Sequence, residues 1–226
     1  MNRKINKTLI FLNGDETNLD YIYKYADKNT LIIGCDGGTD KIYKLGLKPD
    51  VVLGDFDSIN RLPQKIKDLP LNHYGKEIAI KDTVYIKYPG DKDFLDVEAA
   101  IDYAIGRKLE EVILVNTQGD ELDHVVGVLA LLAKRKYRSA DIKLIGPKFK
   151  AYSICGKREI KGRAGDKISL IPLYGSVKVK NSSGLKYDPA KHKMSLQQNL
   201  GISNELTKKK ATLELSKGCF LVIQYY

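Results

Sequence analysis

The chain predicts an α/β protein with two domains: an N-terminal Rossmann-like, three-layer α/β domain with a mainly parallel sheet, and a C-terminal antiparallel β-sandwich. Through the first 147 residues, short apolar runs alternate with amphipathic stretches. Beyond Pro147 the runs become short, alternating and punctuated by glycine. A chain of 226 residues with 43% hydrophobic content can bury a core in each part. We therefore expect domains at 1–147 and 148–226.

Five apolar runs predict buried parallel strands in the first domain. They are Thr8–Leu12, Leu31–Cys35, Val51–Leu53, Val112–Asn116 and Ile142–Ile145. The clearest helix follows Asp93 as its cap and ends at Gly106, and a second runs from about His124 to Ala133. Strands that alternate with helices imply right-handed crossovers, with ligands at the carboxyl ends of the strands.

Short alternating runs predict antiparallel strands in the second domain. They are Arg158–Ile160, Lys167–Ile171, Ser176–Val179, Thr212–Leu215 and Phe220–Tyr225. Such strands must bury one face, and a small sandwich or barrel-like domain does this.

Charge and hydropathy narrow the function classes. Residues 141–226 hold 17 lysines and arginines against 6 acidic residues, which raises the possibility of a nucleic-acid partner. No RNA- or DNA-binding motif accompanies this charge, so the sequence disfavours nucleic-acid binding. No apolar run is long enough to cross a bilayer or to serve as a secretory signal, and we expect a cytoplasmic protein without membrane contact.

The number and spacing of the cysteines limit the roles that they can have. Cys35, Cys155 and Cys219 are far apart, odd in number and lack CxxC spacing. This pattern predicts neither a disulfide framework nor a zinc site, and we expect reduced, buried thiols.

Aspartates in loops after strands are the main functional signal. Asp55 and Asp57 are spaced i, i+2, so in an extended segment both side chains leave the same side of the backbone and can meet around one ion. Two carboxylates roughly 4 Å apart repel by about 4 kcal/mol at an effective dielectric near 20, and a divalent cation reverses this cost. Oxygen-only ligation favours Mg²⁺. An acidic turn that stays in water or caps a helix is the simpler alternative.

Four aspartate-bearing loops and two later motifs resemble the thiamine pyrophosphokinase family. The loops are CDGG at Asp36–Gly38, the PDVVLGDFDSI segment at Pro49–Ile59, KDFLDVE at Lys92–Glu98 and GDELDH at Gly119–His124. The later motifs are GLKY at Gly184–Tyr187 and LGISNE at Leu200–Glu205. Neither GxGxxG nor GxxxxGK[ST] is present, so the phosphates of a nucleotide must be held in another way.

The resemblance implies transfer of the pyrophosphoryl group of ATP to thiamine, which gives thiamine diphosphate and AMP. Mg²⁺ is the implied cofactor and ATP the donor substrate. The resemblance also implies a homodimer with active sites shared between subunits, and thiamine and ATP as partners.

Residue roles follow from the matching positions. The resemblance assigns the metal to Asp36, Asp55, Asp57 and Asp96, and catalysis to Asp55, Asp57, Asp96 and Asp123, with Asp123 as a candidate to orient or deprotonate the thiamine hydroxyl. It assigns ATP and metal contacts to Asp36, Gly37, Gly38, Lys92 and Asp93. It assigns thiamine to Tyr187, which would stack on the rings, and to Ser203 and Asn204, which would bind the aminopyrimidine.

Competing structural roles exist for two of these residues. Asp96 occupies the N3 position of its helix if Asp93 caps it, and Asp123 can cap the helix that begins near His124.

The match departs from the family at three positions. Asp120 and Glu121 stand where relatives have glycine and arginine, and Leu95 stands where relatives have threonine. Glu121 would repel phosphate where arginine attracts it. A non-catalytic or nucleotide-altered thiamine-binding relative is therefore the alternative function, and a basic nucleic-acid-binding protein is a third.

Overall fold

The computed structural model describes residues 4–109, 111–119, 121–173, 175–198 and 200–226. The chain divides into two compact units. The α/β unit comprises the residues up to Val128 together with Ala140–Pro147, and the β unit comprises Leu129–Ser139 and Lys148–Tyr226. No described helix has the length and apolar character needed to cross a bilayer.

Seven strands among the described residues build the sheet of the α/β unit. They are β1 (Lys7–Phe11), β2 (Thr30–Cys35), β3 (Val51–Gly54), β4 (Ile78–Ile80), β5 (Thr83–Lys87), β6 (Glu111–Val115) and β7 (Asp141–Ile145). Their order is β7-β6-β1-β2-β3-β5-β4. All neighbours are parallel except β4, which runs antiparallel to β5 at the edge. The chain leaves β1 towards β2 on one side and returns to β6 on the other, so a topological switch point lies beside β1.

In the described part of the chain, four α-helices accompany this sheet. They are α1 (Gly38–Lys44), α2 (Gln64–Lys67), α3 (Asp96–Gly106) and α4 (Leu122–Leu131). Short 3-10 turns lie at Asp20–Lys24, Leu71–His73, Arg135–Tyr137 and Pro189–Lys191.

Both faces of the sheet are covered. Leu9 and Phe11 of β1 pack with Ile22 and Ile42 on one face. Ile10 points to the opposite face and is also fully buried. Runs that are apolar at every position are typical of strands covered on both sides, which confirms the predicted α/β class.

The predicted helix caps are wrong. α3 begins at Asp96 with Leu95 as its N-cap and no side-chain cap, so Asp93 does not cap it and Asp96 is the first helical residue. α4 already includes Asp123 in its first turn, so this residue is not an N-cap either. Asp96 is therefore not at N3 and Asp123 is not a cap, but both carboxylates lie in the first turn of their helices. A carboxylate in the first turn is still favoured by the helix dipole.

The β unit is built on two long strands. Its strands are β8 (Phe149–Lys161), β9 (Lys167–Pro172), β10 (Ser176–Ser183), β11 (Met194–Ser195), β12 (Asn204–Glu205) and β13 (Lys210–Tyr225). β13 pairs with β8 along its length, with β10 through its first part and with β9 through its second part. The two runs predicted as separate strands at 212–215 and 220–225 are thus one strand interrupted by a bulge before Cys219.

The long strands enclose one apolar core. Ile154 of β8, Leu170 of β9, Val177 of β10 and Phe220 of β13 are all at most 1% exposed and belong to one cluster. The first part of β13 pairs with β8 and β10, and its second part pairs with β8 and β9, so β13 belongs to both groups of strands around this cluster. The unit therefore has the antiparallel sandwich character that the sequence predicts.

The prediction of three reduced cysteines is wrong. Cys155 of β8 and Cys219 of β13 are directly opposite each other in the strand register and form a disulfide, with Cα atoms 4.5 Å apart. Their separation of 64 positions conceals this pairing in the sequence, because only the antiparallel register brings the two together. Cys35 remains a free, buried thiol.

Candidate active site

Three residues with left-handed backbone conformation follow strands at one edge of the parallel sheet. Asp36 (φ 43°) follows β2, Phe56 (φ 70°) lies just beyond β3, and Asn116 (φ 54°) follows β6. Such conformations cost about 1–3 kcal/mol each and cluster at functional sites. Because parallel strands share one carboxyl edge, all three mark the place where a ligand is expected.

Three carboxylates converge at this edge. Oxygen atoms of Asp36, Asp55 and Asp57 lie within 4.8 Å of one another. The extended geometry predicted for the i, i+2 pair is wrong, because Phe56 turns the chain and the Asp57 N–H donates to Asp55 Oδ1 at 3.1 Å. The turn nevertheless brings both carboxylates to Asp36. An octahedral Mg²⁺ with ligands at about 2.1 Å places opposite oxygens about 4.2 Å apart, so small side-chain rotations bring the three carboxylates onto this ion.

The backbone around β3 holds Asp36 in place. The Phe56 N–H donates to Asp36 Oδ1 at 3.0 Å. A Cβ atom at Gly54 would overlap the Asp36 carboxylate, and Gly54 has φ 141°, where other residues are strained. Glycine is therefore required at position 54 for the close approach of carboxylate and backbone.

Burial and neighbouring acids raise the pKa of Asp36 to about 8. Desolvation is the largest cause, followed by the negative charge of Asp96, and Asp55 adds to the effect. Asp96 in turn pairs with Lys92 at 3.0 Å, and both side chains are largely buried, with 20% and 8% exposed. A cation at the three carboxylates would relieve the repulsion that raises this pKa.

A cavity of about 560 Å³ opens at the three carboxylates. Asp36, Asp55, Asp57 and Asp96 all line it, as the sequence predicts for neighbouring loops. Leu95 and Gly119, from two of the matched motifs, line it too. Its walls also include residues that the sequence analysis did not single out: Asn13, Gly14 and Asp15 after β1, Asn116 and Thr117 after β6, and the apolar Val97, Val125 and Val128. Their positions after β1 and β6 were the available signal, since those strands end at the same edge.

Five of the residues predicted for ATP, metal or catalysis lie outside this lining. Among the described residues that line the cavity, none is Gly37, Gly38, Lys92, Asp93 or Asp123. Gly37 donates its N–H to Ser58 Oγ at 3.0 Å, and Gly38 begins α1. The exposed Asp123 accepts a hydrogen bond from the His124 N–H at 2.9 Å. Its neighbours Glu121 and His124 do line the cavity, with 3.4 Å between Glu121 Oε2 and His124 Nδ1. Asp120 lies outside the described residues.

The predicted thiamine residues lie together in the β unit. Asn204 is 3% exposed, its Nδ2 donates to the Tyr187 carbonyl at 2.7 Å and its Oδ1 accepts from the Tyr187 N–H at 3.0 Å. Oδ1 also accepts from the Glu205 N–H at 2.8 Å. These bonds fix the backbone of Tyr187, whose ring is 59% exposed. The exposed Ser203 has φ 60° and donates its N–H to Ser169 Oγ at 3.2 Å.

Carboxylates at the carboxyl edge of a parallel sheet can hold a cation that neutralises the negative charge of a substrate. Phosphoryl transfer depends mainly on such neutralisation and on positioning, and little on covalent catalysis. The fold and the cavity thus define an α/β enzyme of the phosphotransferase class.

Comparison with known proteins identifies the family. Residues 22–144 match the family model "Thiamin pyrophosphokinase, catalytic domain", and residues 155–220 match "Thiamin pyrophosphokinase, vitamin B1 binding domain". The thiamine pyrophosphokinase of Bacillus subtilis is 28% identical over 223 residues, covering 96% of this chain and 98% of the relative. The chain belongs to the thiamin pyrophosphokinase family, a family of enzymes, which confirms the resemblance found in the sequence.

Solved structures show the same fold. The crystal structure of thiamine pyrophosphokinase from Bacillus subtilis has a TM-score of 0.79 at 25% identity and covers 97% of this chain and 98% of its own. The corresponding protein from Geobacillus thermodenitrificans has a TM-score of 0.77 at 25% identity, with 97% of each chain covered. The predicted fold class is thereby confirmed over nearly the whole chain.

Proposed function

We propose that this protein transfers the pyrophosphoryl group of ATP to thiamine, with Mg²⁺ held by Asp36, Asp55 and Asp57. The convergence of these three carboxylates in one cavity is the observation that carries the proposal. The matches to both family domains support thiamine and ATP as the substrates. When bound, Mg²⁺ neutralises charge on the polyphosphate.

The reaction requires one bond to form and one to break. The hydroxyethyl oxygen of thiamine attacks the β-phosphorus of ATP, the bond from this phosphorus to the α–β bridging oxygen breaks, and AMP leaves with that oxygen. The hydroxyl proton passes to a base. The chain contributes position and charge: the aspartates hold the metal and hence the donor, and the Lys92 ammonium lies beside Asp96.

Two assignments in this mechanism come from the family motif. Asp96 serves as a fourth metal ligand, supported by its place in the lining of the same cavity. Asp123 serves as the base, since it lies between two residues that line the cavity. Replacing Asp123 by asparagine should lower kcat about 100-fold and leave both KM values unchanged.

The direct test is production of AMP and thiamine diphosphate from ATP and thiamine. We expect turnover that needs both thiamine and Mg²⁺, and we expect Asp55→Asn and Asp57→Asn to lower kcat at least about 100-fold while the folded state persists. Asp82→Asn is the matched control, because Asp82 forms only a surface ion pair with Lys48 and should behave as wild type. Full activity of Asp55→Asn and Asp57→Asn would remove the metal assignment.

Glu121 supports a second candidate function for this protein. It lines the cavity with His124, where relatives carry an arginine, and so adds negative charge beside the proposed polyphosphate. A thiamine-binding relative with altered or lost nucleotide chemistry fits this feature. Such a protein would bind thiamine in calorimetry but form thiamine diphosphate with none of several nucleoside triphosphates. Formation from a nucleotide other than ATP would show an altered preference.

The homodimer implied by the family is also a proposal. Sedimentation of the purified protein should give twice the mass of 25.4 kDa. A monomer that is fully active would remove it.

A further inference from the structure

The side chain of Asn116 is fully buried and holds one neighbouring segment by three hydrogen bonds. Its Nδ2 donates to the carbonyls of Leu12, at 2.6 Å, and of Gly14, at 2.8 Å. Its Oδ1 accepts from the Glu16 N–H at 3.1 Å. Both amide hydrogens are thus used by backbone carbonyls, an arrangement that an aspartate of the same shape cannot reproduce. We call Asn116 and these three backbone groups the Asn116 latch.

Backbone hydrogen bonds extend the latch beyond the strands. The N–H of Leu12 donates to Val115, at 3.1 Å, and that of Gly14 donates to Asn116, at 3.0 Å. The Asp15 N–H donates to the Gln118 carbonyl at 2.7 Å. The pairing of β1 with β6 therefore continues past both strands, at the switch point where a ligand crevice is expected. A Cβ atom at Gly14 would overlap the carbonyls of Asn116 and Gln118, so the approach depends on glycine.

Tyr21 secures the far end of the latch. Its hydroxyl oxygen lies 2.5 Å from Glu16 Oε2 and 3.2 Å from the carbonyl oxygen of Ile145, at the end of β7. Tyr21 is only partly buried, and loss of its hydroxyl would leave the ring packed. Removing the Tyr21 hydroxyl therefore weakens the attachment of the segment that the latch holds, without removing packed apolar atoms.

The latched segments form one wall of the cavity. Asn13, Gly14 and Asp15 on one side, and Asn116 and Thr117 on the other, line the same cavity as the three carboxylates. We propose that Asn116 is a positioning residue that fixes this wall, so that the nucleotide donor binds in register with the metal-binding aspartates. This inference rests on the proposed function, because it takes the nucleotide as the occupant of the cavity.

The test measures binding apart from turnover. The probe is Mg²⁺ with an ATP analogue whose α–β bridging oxygen is replaced by methylene, titrated in a calorimeter. Asn116→Asp puts a carboxylate against the carbonyls of Leu12 and Gly14, and it should weaken binding of the analogue about tenfold or more. Tyr21→Phe should weaken it about twofold to fivefold. Asn72→Asp, on an exposed turn, is the matched control and should leave binding unchanged.

Kinetics separate positioning from a loss of folded protein. If Asn116 positions the donor, the KM for ATP rises in Asn116→Asp while the KM for thiamine changes less than about twofold. If Asn116 only stabilises the fold, the active fraction falls, and kcat drops with both KM values intact.

Each outcome decides the inference. A folded Asn116→Asp protein that binds the analogue like wild type overturns it. If Asn116→Asp does not fold, unchanged binding in Tyr21→Phe overturns it. Wild-type protein that binds the analogue but makes no thiamine diphosphate defeats the proposed function and leaves the latch testable by binding. Wild-type protein that binds no analogue overturns both.

Discussion

Asp36 combines a partly buried position with two acidic neighbours, and its proton uptake should be visible in the stability of the protein. Its pKa is about 8 in the fold against an ordinary value of 3.8. Between these values the native state keeps a proton that the unfolded chain has lost, so this group makes the metal-free protein less stable as pH rises from about 4 to 8. Mg²⁺ binding should displace the proton and reverse this loss.

Thermal unfolding between pH 5 and 8 tests this expectation. The melting temperature of metal-free wild type, measured relative to Asp36→Asn, should fall across the window, and added Mg²⁺ should remove the fall. Calorimetry in buffers of different ionisation enthalpy should detect proton release when Mg²⁺ binds near pH 7. A difference between the two proteins that is flat across the window would contradict the raised pKa.

The backbone of Tyr187 is held in place while its side chain stays exposed. Asn204 fixes its backbone, and the Lys186 ammonium already lies 5.8 Å from the ring centroid. If a thiazolium replaces this ammonium, the ring contributes about 0.5–2 kcal/mol. Tyr187→Ala should therefore raise the KM for thiamine about twofold to thirtyfold, whereas Tyr187→Phe keeps the ring and serves as control. A lower kcat with an unchanged KM would argue against stacking.

The sequence predicts the acidic residues of the cavity better than its neutral ones. Asp36, Asp55 and Asp57 each lie near the end of an apolar run, and parallel pairing brings such positions together. Asn116 could not be predicted, because its role depends on hydrogen bonds across more than 100 residues of chain. Asn204 was predicted to bind thiamine, but its hydrogen bonds to Tyr187 appear only once the chain is folded.

At the scale of elements, the disulfide joins the two longest strands of the β unit. Cys155 and Cys219 are cross-strand neighbours where the bulge interrupts the pairing of β8 with β13. Closing a loop of this length restricts the unfolded chain and should stabilise the protein by about 2–4 kcal/mol. The same strands share a continuous apolar core, so the unit should remain folded after reduction.

Reduction with dithiothreitol should lower the melting temperature of wild type by several degrees. Cys155→Ser should melt at this lower temperature with or without reductant, and Cys35→Ser should keep the response of wild type. Mass spectrometry of alkylated, non-reduced protein should show a single modified cysteine after unfolding. Three modified cysteines would contradict the disulfide.

Elements whose burial pattern is uniform were predicted with small errors at their ends. The five apolar runs of the α/β unit all correspond to strands, since complete burial leaves a continuous apolar signal. β4 and β5 were not predicted. β4 lies at the edge and is only partly buried. β5 is mostly buried, but its sequence TVYIK mixes polar with apolar residues and so gives no continuous apolar run. The bulge in β13 was also missed, since glycine and lysine near the bulge suggest a turn when the partner strand is unknown.

At the scale of the whole chain, positive charge is concentrated in the β unit and the acidic cavity lies in the α/β unit. The β unit holds most of the net positive charge of +10, whereas the cavity of the α/β unit is lined by carboxylates. Lysines of the β unit pair with acids of neighbouring strands, as Lys180 does with Glu214 and Lys210 with Glu159. These pairs make a solvated, lysine-coated sheet the simplest explanation of the basic composition.

Cys35 ends β2, immediately before Asp36, and it is the single thiol left once the disulfide has formed. Burial raises its pKa well above the ordinary value, so the thiol stays protonated and unreactive while the sheet is closed. An alkylating reagent can then modify it only during moments when this edge opens. The rate of Cys35 alkylation therefore measures how often this edge of the sheet opens. A bound nucleotide and cation should lower that rate to the extent that they stabilise the closed edge.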